Sequence, residues 1–244
     1  MTTPFQRARS EEQRAVRRQA ILDTAAAMLT EMPVAQVSLN ELSRRVGLAK
    51  SNVLRYFESR EAVLLELLDT ALREWLDLLD GALTTAVDAT TGPYERGDQL
   101  AGAFARTLAA RPVLCDLISA QAAVLERNVS PRVAAEHKRA TLANVTVLVR
   151  LIRAHLPELD EHDATKYATA AFMSTGAVWT HAQPSAAMLA AYEADPALAV
   201  MRMDFTATLR ELLEVQATGL LTRAQRGFPV RTHPAPRGEP AGGR

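Results

Sequence analysis

The chain has 244 residues, of which 48% are hydrophobic and 23% are charged, as in an ordinary globular protein. No apolar run approaches the roughly 20 residues that a membrane span needs, and the N-terminus lacks the apolar core of a secretory signal. The single cysteine, Cys115, excludes an intrachain disulfide framework and favours a cytoplasmic location. Alanine and leucine dominate the apolar stretches while alternating β-branched residues are scarce, so the sequence predicts an all-α fold.

The net charge at pH 7 is zero, but the charges are distributed unevenly. Residues 1–60 carry ten basic residues (Arg or Lys) and six acidic ones (Asp or Glu). Residues 61–220 carry 13 basic and 21 acidic residues, and residues 221–244 carry five basic residues and one acidic residue. A basic end on an acidic body indicates a nucleic-acid-binding surface, although a solvated surface without a partner has the same pattern. The basic residues of the N-terminal arm are Arg7, Arg9, Arg14, Arg17 and Arg18. They could add phosphate or minor-groove contacts, which Glu11 and Glu12 oppose.

Two helices are predicted before residue 47. The first covers about residues 11–30 and ends before Pro33, with an apolar stripe formed by Ile21, Ala25, Met28 and Leu29. The second begins with a capping box, in which the Ser38 oxygen accepts the Glu41 N–H and the Glu41 carboxylate reaches back to the Ser38 N–H. Its inward side chains are expected to be Leu39, Leu42 and Val46. Gly47 is expected to end this helix with a positive φ.

A third helix is predicted at about residues 49–55, with Val53 and Phe57 facing inward. Two short helices joined by a glycine-containing turn form a helix-turn-helix, whose second helix enters the DNA major groove. The outward side chains of that helix are Lys50, Ser51, Asn52 and Arg55. They include donors for guanine and a bidentate partner for adenine. The same periodicity also fits an ordinary helical bundle in which these side chains are only solvated.

From about Arg17 to Leu68 the sequence resembles the DNA-binding domain of TetR-type bacterial regulators, most clearly in the stretch VSLNELSRRVGLAKSNVLRYFESREAVLLELL. The matching features are Ser38, the turn Val46-Gly47-Leu48, the pair Tyr56-Phe57, the basic Arg60 and the apolar run of residues 62–65. The resemblance implies a three-helix DNA-binding domain followed by a larger helical ligand-binding and dimerisation domain. It implies a transcription regulator and no enzymatic activity.

The resemblance also implies roles for individual positions. Those expected to face bases or nearby phosphates are Lys50, Ser51 and Asn52. Those expected at the phosphate backbone are Ser38, Arg44, Arg45, Tyr56 and Arg60. Ser38 would also serve as a cap, and Arg44 and Arg45 could be merely solvated. Two positions depart from the family: Ala49 stands where a Ser or Thr cap is common, and Leu54 stands where an aromatic is common. These departures leave the list of DNA contacts open.

Further helices are predicted at about residues 60–82, 98–110, 112–127, 131–155, 161–182 and 196–221. The segment Thr90–Gly97 is expected to be a break. Ser130-Pro131 and Asp195-Pro196 have the pattern of an N-cap followed by a first-turn proline. Acidic residues 160–163 suit a helix start.

Three regions are therefore expected. Residues 1–60 form the DNA-binding domain with its basic arm, residues 61–227 form the ligand-binding and dimerisation domain, and residues 228–244 form a disordered tail rich in Pro, Gly and Arg. Helices 161–182 and 196–221 are rich in alanine, and in the resembled family the last two large helices pair across a two-fold axis. Leu209, Leu212, Leu213 and Leu220 could supply such a homodimer interface, or could equally belong to the core of one chain.

A small-molecule pocket is predicted from the polar residues on the otherwise apolar stripe of helix 131–155. His137 and Asn144 are its expected polar anchors. The complete predicted set is Phe104, Leu108, Cys115, Ile118, Ser119, His137, Thr141, Asn144, Phe172, Thr175 and Trp179. Satisfied core polar groups, or the edge of a solvated face, would explain the same pattern.

No cofactor or catalytic motif is present in the sequence, and the five histidines lack metal-ligand spacing. The acidic cluster around His162 is interpreted as a helix cap rather than a metal site. The leading hypothesis is a homodimeric repressor that binds a palindromic operator in double-stranded DNA and is released by a small-molecule effector. The alternatives are a helical ligand- or partner-binding protein that does not act on DNA, and a regulator that activates or needs no ligand.

Overall fold

The computed structural model describes residues 4–226, with side chains from residue 11 onward; the predicted tail at 228–244 lies outside this range. The described chain contains α-helices and short turns of 3₁₀- or π-helix, with no strand between residues 4 and 226. The helices are α1 (Pro4–Glu31), α2 (Leu39–Val46), α3 (Lys50–Val53), α4 (Arg60–Ala86), α5 (Pro93–Ala109), α6 (Pro112–Ala120), α7 (Pro131–His155), α8 (Glu161–His181), α9 (Ala186–Ala194) and α10 (Phe205–Gln225). The predicted all-α fold is confirmed.

The first three helices and the start of α4 form a head, whose buried apolar side chains are continuous with those of the body. Buried side chains at its centre are Ile21, Ala25, Met28, Leu42, Val53 and Phe57. Gly47 adopts φ 72° and ψ 27° at the end of α2, as expected for a glycine that reverses the chain there. The Ser38 hydroxyl accepts the Glu41 N–H at 3.2 Å, so the cap is confirmed. The second half of the predicted capping box is wrong, because the Glu41 carboxylate instead accepts hydrogen bonds from Arg44 and Arg45.

The helix α4 runs from the head into the body and buries the side of its surface that includes Leu68, Leu72, Leu79 and Leu83. It extends to Ala86, and α5 already begins at Pro93, so the predicted break at residues 90–97 is too long. The reason is that Pro93 occupies the first turn of α5, where a missing N–H costs nothing.

The body core lies between α4, α5, α8 and α10. Its largest fully buried side chains include Leu83, Leu100, Phe104 and Tyr167. Helix α5 packs closely on α10 at Gly97, where an added Cβ would lie 3.2 Å from the Ala217 Cβ. Leu209, Leu213 and Leu220 are buried within the chain, whereas Leu212 is 46% exposed. The sequence left open whether these four leucines form a homodimer interface or the core of one chain. Three of the four therefore belong to the intrachain core.

The helix predicted over residues 196–221 is wrong at its start. Asp195 ends α9 instead, and its carboxylate accepts the Ala197 N–H at 2.9 Å in a tight turn. The last helix begins at Phe205, where Asp204 accepts the Ala207 N–H at 2.7 Å. An Asp-Pro pair suits a turn as well as a helix start, so the local signal was ambiguous. The predicted helix 112–127 ends as an α-helix at Ala120 and continues as a π-helical turn, Gln121–Leu125.

Across residues 4–226, no single helix is long and apolar enough to cross a membrane. Only the bent pair Pro93–Ala109 and Pro112–Leu125, whose axes meet at 94°, meets the length and composition criteria, and it does so only when both members are taken together.

Candidate nucleic-acid interface

The helix-turn-helix presents one exposed surface formed by α2, α3 and the residues just after α3. Seven of the nine predicted DNA-binding side chains are exposed on it: Ser38, Arg44, Arg45, Lys50, Ser51, Asn52 and Arg55. Tyr56 and Arg60 are half-buried. The backbone continues turning after α3, with Tyr56 N–H donating to the Val53 carbonyl at 2.9 Å, so Arg55 and Tyr56 stay close to the α3 side chains.

The arginines of α2 are paired with acidic residues. Arg44 and Arg45 both donate to the Glu41 carboxylate, at 2.5 to 2.9 Å, and Arg45 also donates to Glu31 at 2.7 Å. Hydrogen bonds from the two arginines lower the pKa of Glu41 to about 2, so it is ionised at neutral pH. Part of the positive charge of α2 is therefore neutralised within the head.

The two cations at and just after α3, Lys50 and Arg55, have a different environment. Among the described side chains, no carboxylate lies within ion-pair distance of Lys50 or Arg55. Both are exposed beside Ser51 and Asn52. Cations without an ion pair and side chains that could hydrogen-bond base edges therefore lie together at and just after α3.

Arg60 has a structural role that the sequence did not indicate. Its Nη1 donates to the Val37 carbonyl at 2.7 Å, and its Nε lies 3.3 Å from the Glu61 carboxylate. This guanidinium therefore connects the start of α4 to the loop before α2. Its predicted position at the DNA backbone competes with this internal role.

Arg18 holds the other side of the head. Its guanidinium stacks 4.1 Å from the centre of the Phe57 ring, forms an ion pair with Glu66 and donates to the Tyr56 carbonyl at 2.8 Å. It therefore joins α1 to α4 and to the turn that follows α3. Because the contact spans 38 to 48 residues, no local pattern could have predicted it.

Two hydrogen-bonded contacts join the head to the body. The Asp116 carboxylate of α6 accepts the Val34 N–H at 2.7 Å. The Glu58 carboxylate accepts the N–H and the hydroxyl of Ser130, at 2.6 and 2.7 Å, and these bonds lower the pKa of Glu58. Asp116 and Ser130 lie at the two ends of the segment that contains the π-helical turn. This segment is therefore hydrogen-bonded to the head at two points.

The predicted ligand-binding residues are distributed through the body. Phe104 is fully buried, with its ring edge-to-face with Trp75 and Tyr167, and Trp179 packs edge-to-face on Phe205. Leu108, Ile118 and Thr175 are buried, and Ser119 and Phe172 are half-buried. Several of the polar groups are satisfied nearby. Three hydroxyls donate to backbone carbonyls of their own helices, namely those of Ser119, Thr141 and Thr175.

Two further members of the predicted set have clear partners. The Asn144 amide donates to the Asp69 carboxylate at 2.8 Å, which connects α7 to α4. The buried Cys115 thiol donates to the Leu108 carbonyl, and burial raises the pKa of this thiol to about 12. Because the thiolate is the reactive form, this buried thiol is expected to be an unreactive core residue.

A cleft of about 530 Å³ separates the head from α4 and α7. Its lining residues are Arg14, Arg18, Tyr56, Phe57, Glu58, Ala62, Leu65, Glu66, Asp69, Arg73, Arg132, Val133, Glu136, His137 and Ala140. Of the eleven predicted ligand-binding residues, only His137 borders this cleft. The residues from the head were missed because they approach α7 only through the tertiary fold.

His137 is buried in a small polar cluster beside this cleft. Its Nε2 lies 3.0 Å from the Gln121 side-chain nitrogen and 3.5 Å from the Glu126 carboxylate. Burial lowers the pKa of His137, so the ring is neutral at pH 7. His137 Nδ1 and Gln121 Oε1 are buried without a hydrogen-bond partner. Buried polar atoms normally have partners, so these two atoms are exceptions within the cluster.

The acidic residues near His162 form a cap, with Asp160 accepting the Asp163 N–H at 2.7 Å. Within the range that the structure describes, no three His, Cys, Asp or Glu side chains are grouped as a metal site would need.

Comparison with known proteins identifies both parts of the chain. Residues 21–67 match the family described as bacterial regulatory proteins, tetR family, and residues 69–224 match the tetracyclin repressor-like, C-terminal domain. The HTH-type transcriptional regulator EthR of Mycobacterium tuberculosis is 40% identical over 55 residues, which cover 22% of this chain and 26% of EthR. The chain thus spans about a quarter of the length of that relative.

Solved structures share the fold at low sequence identity. FadR from Thermus thermophilus, described as a TetR-family transcriptional repressor in complex with lauroyl-CoA, is 18% identical with a TM-score of 0.53, over 91% of this chain and 100% of that chain. FadR from Bacillus subtilis in complex with stearoyl-CoA is 14% identical with a TM-score of 0.51, over 82% of this chain and 98% of that chain. The chain belongs to the TetR family of bacterial DNA-binding transcriptional regulators, which are not enzymes.

Proposed function

We propose that the protein is a homodimeric repressor that binds a palindromic operator with α3 in the major groove. The observation that carries this proposal is the exposed α3 surface, where Lys50 and Arg55 have no acidic partner among the described side chains and flank Ser51 and Asn52. Asn52 would make paired hydrogen bonds to an adenine, and the two cations would contact guanine or phosphates. Such a protein acts in the cytoplasm, where bacterial DNA lies.

Two-fold symmetry of the operator requires two heads. The surface that supports pairing is the outer side of α8 and α10, where Met173, Leu212 and Val215 are 69%, 46% and 68% exposed. Pairing of these helices across a two-fold axis would bury them. It would separate the recognition helices by about 34–36 Å or a multiple, to match successive turns of the same DNA face.

The test is binding of the full chain to DNA from upstream of its own gene, measured by fluorescence anisotropy at several salt concentrations. A scrambled duplex of the same composition is the control. We expect tight binding of one dimer per operator, a preference over the control, and affinity that falls steeply with salt. If selection from random DNA also yields no preferred sequence, the proposed operator recognition is wrong.

We further propose that a small-molecule effector binds in the cleft between head and body, with His137 as a polar anchor. What supports this is the position of the cleft: it borders Tyr56 and Glu58 of the head and the first half of α7. A ligand that fits the cleft better in one head position than in another would shift the population towards that position, by no more than its difference in affinity.

The class of effector is proposed from the structural relatives. Because the Thermus and Bacillus proteins are complexes with lauroyl-CoA and stearoyl-CoA, acyl-CoA thioesters are the first class to test. We expect lauroyl-CoA, but not free CoA, to bind in calorimetry and to release the operator. His137→Phe should reduce this response, whereas His181→Phe, at an exposed position at the end of α8, should not. Equal responses of both variants would remove His137 from the site, and release without lauroyl-CoA binding would contradict the effector mechanism.

A further inference from the structure

The segment of residues 182–204, which connects α8 to α10, is apolar but unburied. Of residues 186–203, fourteen are apolar and three are charged, yet no residue from 181 to 204 is buried. Its exposed large side chains are Met188, Leu198, Val200 and Met201. Val200 and Met201 are 83% and 69% exposed, and single soluble chains rarely expose such a group of neighbouring apolar side chains.

This connector has a defined local structure. Ser185 caps α9 by accepting the Met188 N–H at 3.3 Å, and a 3₁₀ turn follows at Ala199–Met201. At its base, Trp179 and Phe205 pack edge-to-face with ring centres 5.2 Å apart, which fixes where the connector leaves and rejoins the body. A nine-residue helix without buried side chains is unstable in water by itself. Such a helix becomes stable when its apolar side chains are covered.

The position of the connector indicates what covers it. It leaves the C-terminal end of α8 and enters the N-terminal end of α10, and these are the two helices that carry the exposed Met173, Leu212 and Val215. Seven of the twelve exposed large apolar side chains in the described chain lie between residues 173 and 215. A groove of about 560 Å³ between the connector and the base of α10, lined by Leu189, Met203 and Phe205 among others, could receive side chains from outside.

We propose that the connector packs against the α8–α10 surface of a second copy of this chain and forms a separate, outer part of the dimer interface. This inference rests on the proposed homodimer and adds a contact surface that the two long helices do not provide. Each copy contributes one connector, so two-fold symmetry buries both together. Association covers α9 and the 3₁₀ turn at the same time as Met173, Leu212 and Val215.

The test is the dimer dissociation constant of the full chain, measured by sedimentation velocity over a dilution series. The connector variant is Val200→Asp/Met201→Asp. The matched control is Leu78→Asp/Leu142→Asp, on α4 and α7, where the leucines are 51% and 68% exposed. We expect the dissociation constant to rise at least tenfold in the connector variant and to change less than twofold in the control. Circular dichroism melts of both at high concentration check that they are folded.

Two further measurements separate this inference from the homodimer itself. Val215→Asp should weaken the dimer whether or not the connector takes part. If Val215→Asp weakens it while Val200→Asp/Met201→Asp does not, the connector inference is wrong and the homodimer stands; a wild-type chain that is monomeric at all concentrations overturns both. Amide exchange at residues 186–194 should slow as the protein concentration rises through the dissociation constant, and exchange that is independent of concentration would contradict the connector contact.

Discussion

The two sides of the head use charged residues in opposite ways. On the side towards the body, Arg18 and Glu58 are held by hydrogen bonds or ion pairs to other elements, and Arg60 is held in the same way at the start of α4. On the α3 side, Lys50 and Arg55 have no acidic partner among the described residues. Paired groups fix the position of a helix, whereas unpaired exposed cations remain available for phosphates. The difference implies that substitutions on the two sides affect different properties, namely stability on one and DNA binding on the other.

The largest effect is expected for Asn52→Ala on DNA preference. Loss of a bidentate base contact costs about 1–3 kcal/mol, so the ratio of operator to scrambled-DNA affinity should fall roughly 5- to 150-fold. Thermal unfolding should be unchanged, because Asn52 is exposed. Anisotropy on both duplexes checks this, with the exposed Asn128→Ala as the control. Equal loss on both duplexes would show that Asn52 does not read a base.

Arg60→Ala and Arg55→Ala should separate the two sides most clearly. Arg60→Ala leaves the Val37 carbonyl without its donor, so we expect the free energy of unfolding to fall by about 1–3 kcal/mol. Arg55→Ala should leave stability within about 0.5 kcal/mol and reduce the slope of log affinity against log salt by about 0.9. Urea titration and salt-dependent anisotropy measure the two effects. The distinction between the two sides would be lost if Arg55→Ala were the more destabilising variant.

A smaller effect is expected for Glu41→Gln, which removes the carboxylate shared by Arg44 and Arg45. Freeing these arginines should raise affinity for any DNA a few-fold at low salt and steepen the salt dependence. Glu74→Gln changes the charge equally at an exposed position on α4 and should alter neither. Affinity that is unchanged or lowered by Glu41→Gln would show that the α2 arginines do not approach DNA.

The smallest effect concerns pH and the contact between Glu58 and Ser130. Because the hydrogen bonds from Ser130 lower the pKa of Glu58 below 4.5, its stabilisation is fully present above pH 4.5 and is lost as the pH falls through the lowered value. Wild type should therefore melt at a higher temperature than Glu58→Gln at pH 7, and the difference should shrink in acid. A difference of constant size from pH 7 to pH 3 would mean that ionised Glu58 is not responsible.

The head could be predicted from sequence because its signals are local. Ser38, Gly47 and the spacing of Leu42, Val53 and Phe57 each act within a few residues. The body was predicted less well because its outcome depends on packing between distant segments. Asp195-Pro196 suits a turn or a helix start, and only the return of the chain at Asp204 decides between them.

The predicted ligand site illustrates the same limit. The stripe of His137 and Asn144 was correctly predicted to be inward-facing, but partners 16 and 75 residues away determine what each side chain does. The Asp69 carboxylate accepts a hydrogen bond from the Asn144 amide. His137, in contrast, borders the cleft, and its buried Nδ1 atom has no hydrogen-bond partner. No spacing rule on α7 alone distinguishes these two environments.

The most direct test of the central claim, that the unpaired cations at and just after α3 contact DNA, compares wild type with Lys50→Ala/Arg55→Ala. The slope of log affinity against log salt is measured for both on the same operator. The structure predicts that the slope of the double variant falls by about 1–2, with an unchanged melting temperature. Equal slopes for the two proteins would contradict the assignment of α3 as the DNA-contacting helix.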